Sequence, residues 1–206
     1  MPKPLLACLA LLASVSLAAG FVFPAAAEGI FVTPVEGLAE DFLFAADVSS
    51  VLSLENSGVT FSDGEGRAAD LFALLRTGGF TAVRVRLWVD PYDEDGNAYG
   101  GGVCDLATAC GIGRRAAENG LGLIVDFHYS DFWADPNKQM CPKAWQGMTV
   151  AEKADALYAY TCDSLRAVTE AGANVVMVQV GNETDSALAG ETNWNDMATL
   201  MKAGSR

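Results

Sequence analysis

Histidine occurs once in 206 residues, as His128, and the 13 Lys and Arg are outnumbered by 26 Asp and Glu, giving a net charge of −13. A single imidazole leaves His-rich metal sites without ligands. A Ser-His-Asp relay would have to run through that one residue, and no Gly-x-Ser-x-Gly elbow accompanies it. The shortage of positive charge repels nucleic acid and anionic lipid, so neither is expected as a partner. No Cys-x-x-Cys is present, which argues against zinc. No Gly-rich phosphate loop follows the first apolar run, and no Ser/Pro/Gly linker or low-complexity stretch divides the chain. One domain without a cofactor is the expectation.

The N-terminus carries Lys3, an apolar run from Leu5 to Gly20, and Ala25-Ala26-Ala27. A positive charge, an apolar segment and a small-residue cleavage site make a secretory signal peptide over residues 1–27, cut after Ala27. An uncleaved anchor is the alternative, but the run is short for a bilayer. Cleavage would remove one Lys and no acid, leaving 12 − 26 = −14 on a secreted, extracellular chain of residues 28–206 with no membrane insertion. Four cysteines remain, Cys104, Cys110, Cys141 and Cys162. Export favours disulfides, and three connectivities are open. Cys104 with Cys110 would tie a loop to a helix, and Cys141 with Cys162 would pin a long loop to the next helix.

Apolar runs and helical patterns then alternate. Phe42–Val48 is a first strand, followed by a loop to Ser62. An amphipathic helix over Arg67–Thr77 stops at Gly78-Gly79. Val83–Trp88 is a second strand, and Asp105 caps a helix to Asn119, ended by Gly120. Leu121–His128 is a third strand, and Thr149 caps a helix over Val150–Glu170. Val175–Val180 is a fourth strand, read as buried on both faces, and Asn195–Lys202 begins a last helix. Strand and helix alternating at roughly 40 residues mark parallel βα units. Four such units are half of an eight-stranded (β/α)8 TIM barrel, which needs about 250 residues. A four-stranded doubly wound sheet is the competing topology.

Each strand ends on chemistry-bearing residues: Asp47; then Arg86 and Trp88; then Asp126 and His128; then Asn182 and Glu183. In parallel barrels the C-terminal strand edge is where active sites are built. The Asp93-x-Asp95-x-Asn97 spacing hints at a calcium loop. However, Ala98 stands where Gly is needed and Cys104 where the bidentate Glu belongs, so an Asp-Gly turn and no metal are expected. Carboxylates beside Arg, Asn, His and several indoles suit a sugar, with acids for proton transfer and aromatic faces for a pyranose ring.

Four segments resemble one known family: Phe44–Glu55, Arg84–Asp93 with Gly96–Gly102, Asp126–Pro136 with Lys138-Gln139 and Pro142–Trp145, and Gly181–Glu183. They are similar to the arabinogalactan endo-β-1,4-galactanases of glycoside hydrolase family 53 over nearly all of residues 28–206. The resemblance implies a (β/α)8 barrel, of which this chain supplies about the first four units. It also implies cleavage of β-1,4-galactan in type I arabinogalactan, the side chains of pectin, with retention of configuration. It makes Glu183 the general acid/base, Asn182 the partner of the sugar 2-hydroxyl, and Arg86 the residue that orients the nucleophile. Asp47, His128, Asp131, Trp88 and Trp133 would shape the substrate site. Arg84, of the same parity as Arg86, is expected in an internal ion pair. The family's nucleophilic Glu ends the seventh strand, beyond Arg206, and its calcium site lies in that same missing half, so this chain is expected to be a fragment of a monomeric enzyme. A non-catalytic galactan-binding remnant, or a sister barrel glycosidase acting on another β-1,4-glycan, is the alternative.

Overall fold

Four parallel strands form one sheet, paired side by side in the order they occur along the chain, and the two central ones obey a strict division of faces. The computed structural model describes residues 35–206, so the signal-peptide segment lies outside the described residues. Strand β1 (Ala45–Asp47) is followed by helix α1 (Val51–Asn56) and a small antiparallel pair, β2 (Phe61–Ser62) with β3 (Ala68–Ala69). Helix α2 (Leu71–Thr77) leads to β4 (Ala82–Leu87), α3 (Leu106–Glu118) and β5 (Gly122–Phe127). Helix α4 (Val150–Glu170), β6 (Val175–Val180) and α5 (Trp194–Gly204) complete the order, with a 3₁₀ turn at Lys143–Trp145 inside the β5–α4 loop.

Alternation along β4 and β5 sorts the side chains. Val83, Val85, Leu87, Leu123, Val125 and Phe127 turn to one face and join the core under the helices, together with Ile112, Ala116, Leu157 and Leu200. The opposite face receives Arg84, Arg86, Ile124, Asp126 and His128. Residues level with one another across the sheet are Arg86, Asp126 and Gln179, so charge is concentrated in one layer near the C-terminal edge.

The helix starts follow from local chemistry. Asp105 accepts the N–H of Thr108, and Asp70 that of Ala73, while Thr149 and Glu152 form a reciprocal capping box. Four expectations need correction. The helix read from Arg67 starts at Leu71, because Asp63 accepts the backbone N–H groups of Glu65 and Arg67 and folds 63–67 into a hairpin turn. The stretch read as loop contains α1. Strand β6 is not buried on both faces: Val176 and Met177 are more than two-fifths exposed, because β6 forms an edge of the described sheet with β5 as its one neighbour there. The four described cysteines are free thiols, so neither suggested pairing is formed. No described helix is long and apolar enough to cross a membrane.

Gly113, in the middle of α3, shows how closely helix and sheet approach. A Cβ there would lie 2.7 Å from Cβ of Ala173 and 2.9 Å from Cδ2 of Leu123. Helix propensity favours alanine over glycine by about 1 kcal/mol, but overpacking a rigid core costs about 1–3 kcal/mol. Ala173 has no side-chain torsion to relieve the contact and Leu123 is fully buried in the core, so Gly113→Ala is expected to lower the melting temperature despite the better helix former. A rise in melting temperature would show that the helix moves away at no cost.

Candidate active site

Asp47, Arg84, Arg86, His128, Trp133, Asn182 and Glu183 line one cleft of about 360 Å³ at the C-terminal ends of the strands. Arg84 is its hub. One terminal nitrogen donates to Oδ2 of Asp47 at 2.6 Å, and the other to Oδ2 of Asp126 at 2.5 Å and to Oδ1 of Asn182 at 3.1 Å. Both Nε and that second nitrogen also lie 3.3 Å from Oε1 of Gln179. One guanidinium therefore bonds to β1, β5, β6 and the turn that follows β6 at once, which its fixed planar fork permits.

Asp126 is fully buried, and the same Oδ2 also receives Nε2 of His128 at 3.0 Å. On the other side of the imidazole, the N–H of Ala134 donates to Nδ1 at 2.9 Å. An acceptor at Nδ1 places the imidazole hydrogen on Nε2, the tautomer that donates to Asp126. The carbonyl of Ala134 in turn accepts from Nδ2 of Asn182 at 2.8 Å. The peptide unit beside Trp133 is thus gripped at its N–H by His128, just past β5, and at the next C=O by Asn182, just past β6. Trp133 itself is 40% exposed, and the Arg86 guanidinium stands 4.2 Å from its ring centroid, within cation–π range.

Arg86 is nearly buried, reaching Oγ of Ser50 at 3.2 Å, while its backbone N–H donates to Oγ of Ser49. Burial pushes the Asp47 carboxyl upward, but the Ser49 hydroxyl and N–H, with Arg86 and Arg84, outweigh it, and Asp47 sits below the usual carboxylate range. Glu183 is exposed, and no hydrogen bond from the described residues reaches its carboxylate. Its backbone occupies the left-handed region, with φ of 50°, two residues after Gly181 at φ of 86°. Gly181 is needed there twice over, since a Cβ would also lie 2.6 Å from Cγ2 of Thr184. Positive φ recurs at Val103 and Cys104 after β4 and at Tyr129 after β5, so strained backbone gathers on this strand edge.

The profile of Glycosyl hydrolase family 53 matches residues 43–206. The chain belongs to that family. It is 52% identical over 180 residues to the endo-beta-1,4-galactanase of Bacillus subtilis (strain 168), covering 87% of this chain and 42% of that one. It is 39% identical to the arabinogalactan endo-beta-1,4-galactanase of Cellvibrio japonicus (strain Ueda107), covering 79% and 44%. The solved Ignisphaera aggregans GH53 catalytic domain superposes with a TM-score of 0.81 at 38% identity, covering 85% of this chain and 50% of that one. The chain therefore spans about half the length of the relatives it matches, and its four parallel βα units are part of the family 53 barrel.

Six of the eight predicted site residues meet in this family 53 cleft: Asp47, Arg86, His128, Trp133, Asn182 and Glu183. The other two stand elsewhere. Trp88 is fully buried, tilted against Phe132 at 4.8 Å between centroids and set behind Trp133 and His128, so it is a wall under the site rather than a surface for substrate. Asp131 accepts the N–H groups of Asp90 and Lys143 and faces a separate cleft with Tyr99 and Met140. It is a staple between two loops. Burial raises its carboxyl pKa even against the nearby Lys143. Arg84 has the internal ion pairs expected of it, and Gln179 and Gln139, to which no role was assigned, bond to residues of the cleft without lining it.

The two nitrogens of His128 can be tested apart. Asparagine keeps an acceptor near the Nδ1 position, whereas glutamine keeps a donor near Nε2. If the grip on Ala134 matters more, His128→Asn should retain slow amide exchange at Ala134, and His128→Gln should lose it together with about 1–3 kcal/mol of stability. The reverse order would assign the histidine to Asp126 instead.

Proposed function

We propose that the full-length protein is a secreted endo-β-1,4-galactanase that hydrolyses β-1,4-galactosidic bonds of type I arabinogalactan with retention of configuration. The observation that carries this reading is the exposed Glu183 carboxylate. The end of β6 delivers it into a cleft walled by an indole, in a chain whose relatives bear galactanase names. Retaining glycosidases use two carboxyl groups about 5–5.5 Å apart, one protonating the leaving oxygen and one attacking the anomeric carbon. Glu183 takes the first role. The nucleophile comes from the part of the barrel beyond Arg206, oriented through Arg86.

The remaining groups fall into place around that pair. Asn182 has one amide hydrogen committed to Ala134, which leaves the other for the sugar 2-hydroxyl. Trp133 presents its free surface to a pyranose ring, while Asp47 and His128 hold the floor. Residues 1–27 serve as the signal peptide that brings the enzyme to its polymer. Incubating the full-length protein with β-1,4-galactan should release galacto-oligosaccharides from within the chain. Hydrolysis of mannan or cellulose with galactan left intact would overturn the assignment.

A further inference from the structure

Glu183 raises a physical problem, because its backbone lies in a region that costs a non-glycine residue energy, and its side chain is held by no described neighbour. Something must fix the peptide if the carboxyl is to stay within proton-transfer distance of a leaving oxygen. Gln139, on the β5–α4 loop, is placed to do so. Its side-chain amide nitrogen donates to the carbonyl of Asn182 at 2.6 Å and to that of Glu183 at 3.2 Å. These are the two carbonyls that flank the strained residue's own torsions. Gln139 is only 7% exposed, and its backbone carbonyl accepts the N–H of Gly190 at 2.8 Å, so the post is itself anchored. Its Oε1 is buried without a partner, which leaves the amide nitrogen as the half of the group that bonds.

We infer that Gln139 is a positioning residue for the acid/base, fixing the Asn182–Glu183 backbone in its left-handed turn and so aiming the Glu183 carboxyl into the cleft. The inference rests on the proposed role of Glu183. Gln139 does not line the cleft, and it acts through the peptide rather than on the sugar. A displacement of about 1 Å at a reacting group can cost roughly a hundredfold in rate, so the contact carries more catalytic weight than its one side chain suggests.

The test uses the full-length enzyme carrying Gln139→Met, which keeps the volume and removes both donors, and Gln139→Glu, which keeps the shape and sets a carboxylate against two carbonyls. Ser186→Ala, which removes another tether between the same loops by way of Pro136, is the control. The comparison is of kcat/KM, which reports only steps up to the covalent intermediate, on galactan and on an aryl β-galactobioside whose leaving group needs no proton. Both Gln139 variants should lose about ten- to a hundredfold on galactan and less than about threefold on the activated substrate. The control should hold its rate on both. Equal losses on the two substrates, or none, would overturn the inference. Amide exchange at Asp185, whose N–H bonds to the Glu183 carbonyl at 3.0 Å, provides a readout free of activity. It should quicken at least tenfold in Gln139→Met, and unchanged exchange would also overturn the inference. If the unsubstituted enzyme leaves galactan intact, the galactanase reading falls, and the exchange result alone decides the role of Gln139.

Discussion

Glu183→Gln in the full-length protein is expected to lower kcat/KM on galactan by about a thousandfold, within the range of roughly 10²–10⁴ that a positioned general acid supplies. The substitution preserves shape and leaves the backbone turn in place, so the loss would measure the missing proton and not a collapsed loop. A galactoside leaving group is a poor one and must be protonated as its bond breaks. An aryl leaving group of low pKa leaves without help, so its kcat/KM should fall by less than about tenfold. Its kcat should still drop, because in the proposed retaining mechanism the same carboxylate activates the water that hydrolyses the covalent intermediate. Equal loss of kcat/KM on both substrates would remove Glu183 from the role of acid.

The residues legible in the sequence were those whose position follows from parity along a strand. Arg84 and Arg86, Asp126 and His128 are each two residues apart, and the strand geometry sends each pair to one face. Helix caps at Asp105 and Thr149 were equally plain, because their bonds close within three residues. What stayed hidden depends on distant chain. Trp88 shares the parity of Arg86, yet Phe132 and Trp133 fold over it from the next loop and take it out of the cleft. Asp131 sits among the most specific residues of the β5–α4 loop, but its carboxylate is consumed by the N–H groups of Asp90 and Lys143. Gln139 bonds to carbonyls 43 and 44 residues away, which no local pattern encodes. The two-residue strands β2 and β3 are too short to show a period at all.

The buried carboxylate of Asp126 should prove the most costly residue of the site to remove for stability. It is fully buried, and one of its oxygens bonds to both Arg84 and His128 while the other has no partner. Breaking a buried pair by deleting one member costs about 3–5 kcal/mol. Arg84 keeps Asp47, Gln179 and Asn182 as partners and is partly exposed, so Asp126→Ala is expected at the lower end, about 3 kcal/mol. It should appear as a lower urea midpoint with an unchanged slope. Asp126→Asn retains an acceptor for both donors, losing the charge and placing an amide nitrogen where the unpartnered Oδ1 lies, so it should cost less than the alanine. The same Arg84 nitrogen that bonds Asp126 also bonds Asn182, which makes the two residues energetically dependent. A double-mutant cycle between Asp126→Asn and Asn182→Ala should therefore show a coupling of at least about 0.5 kcal/mol, the lower bound for residues sharing one network. Strict additivity would mean that Arg84 serves the fold and the cleft independently. Coupling would mean that the arginine holding the strands together also sets the amide that precedes Glu183, the proposed acid.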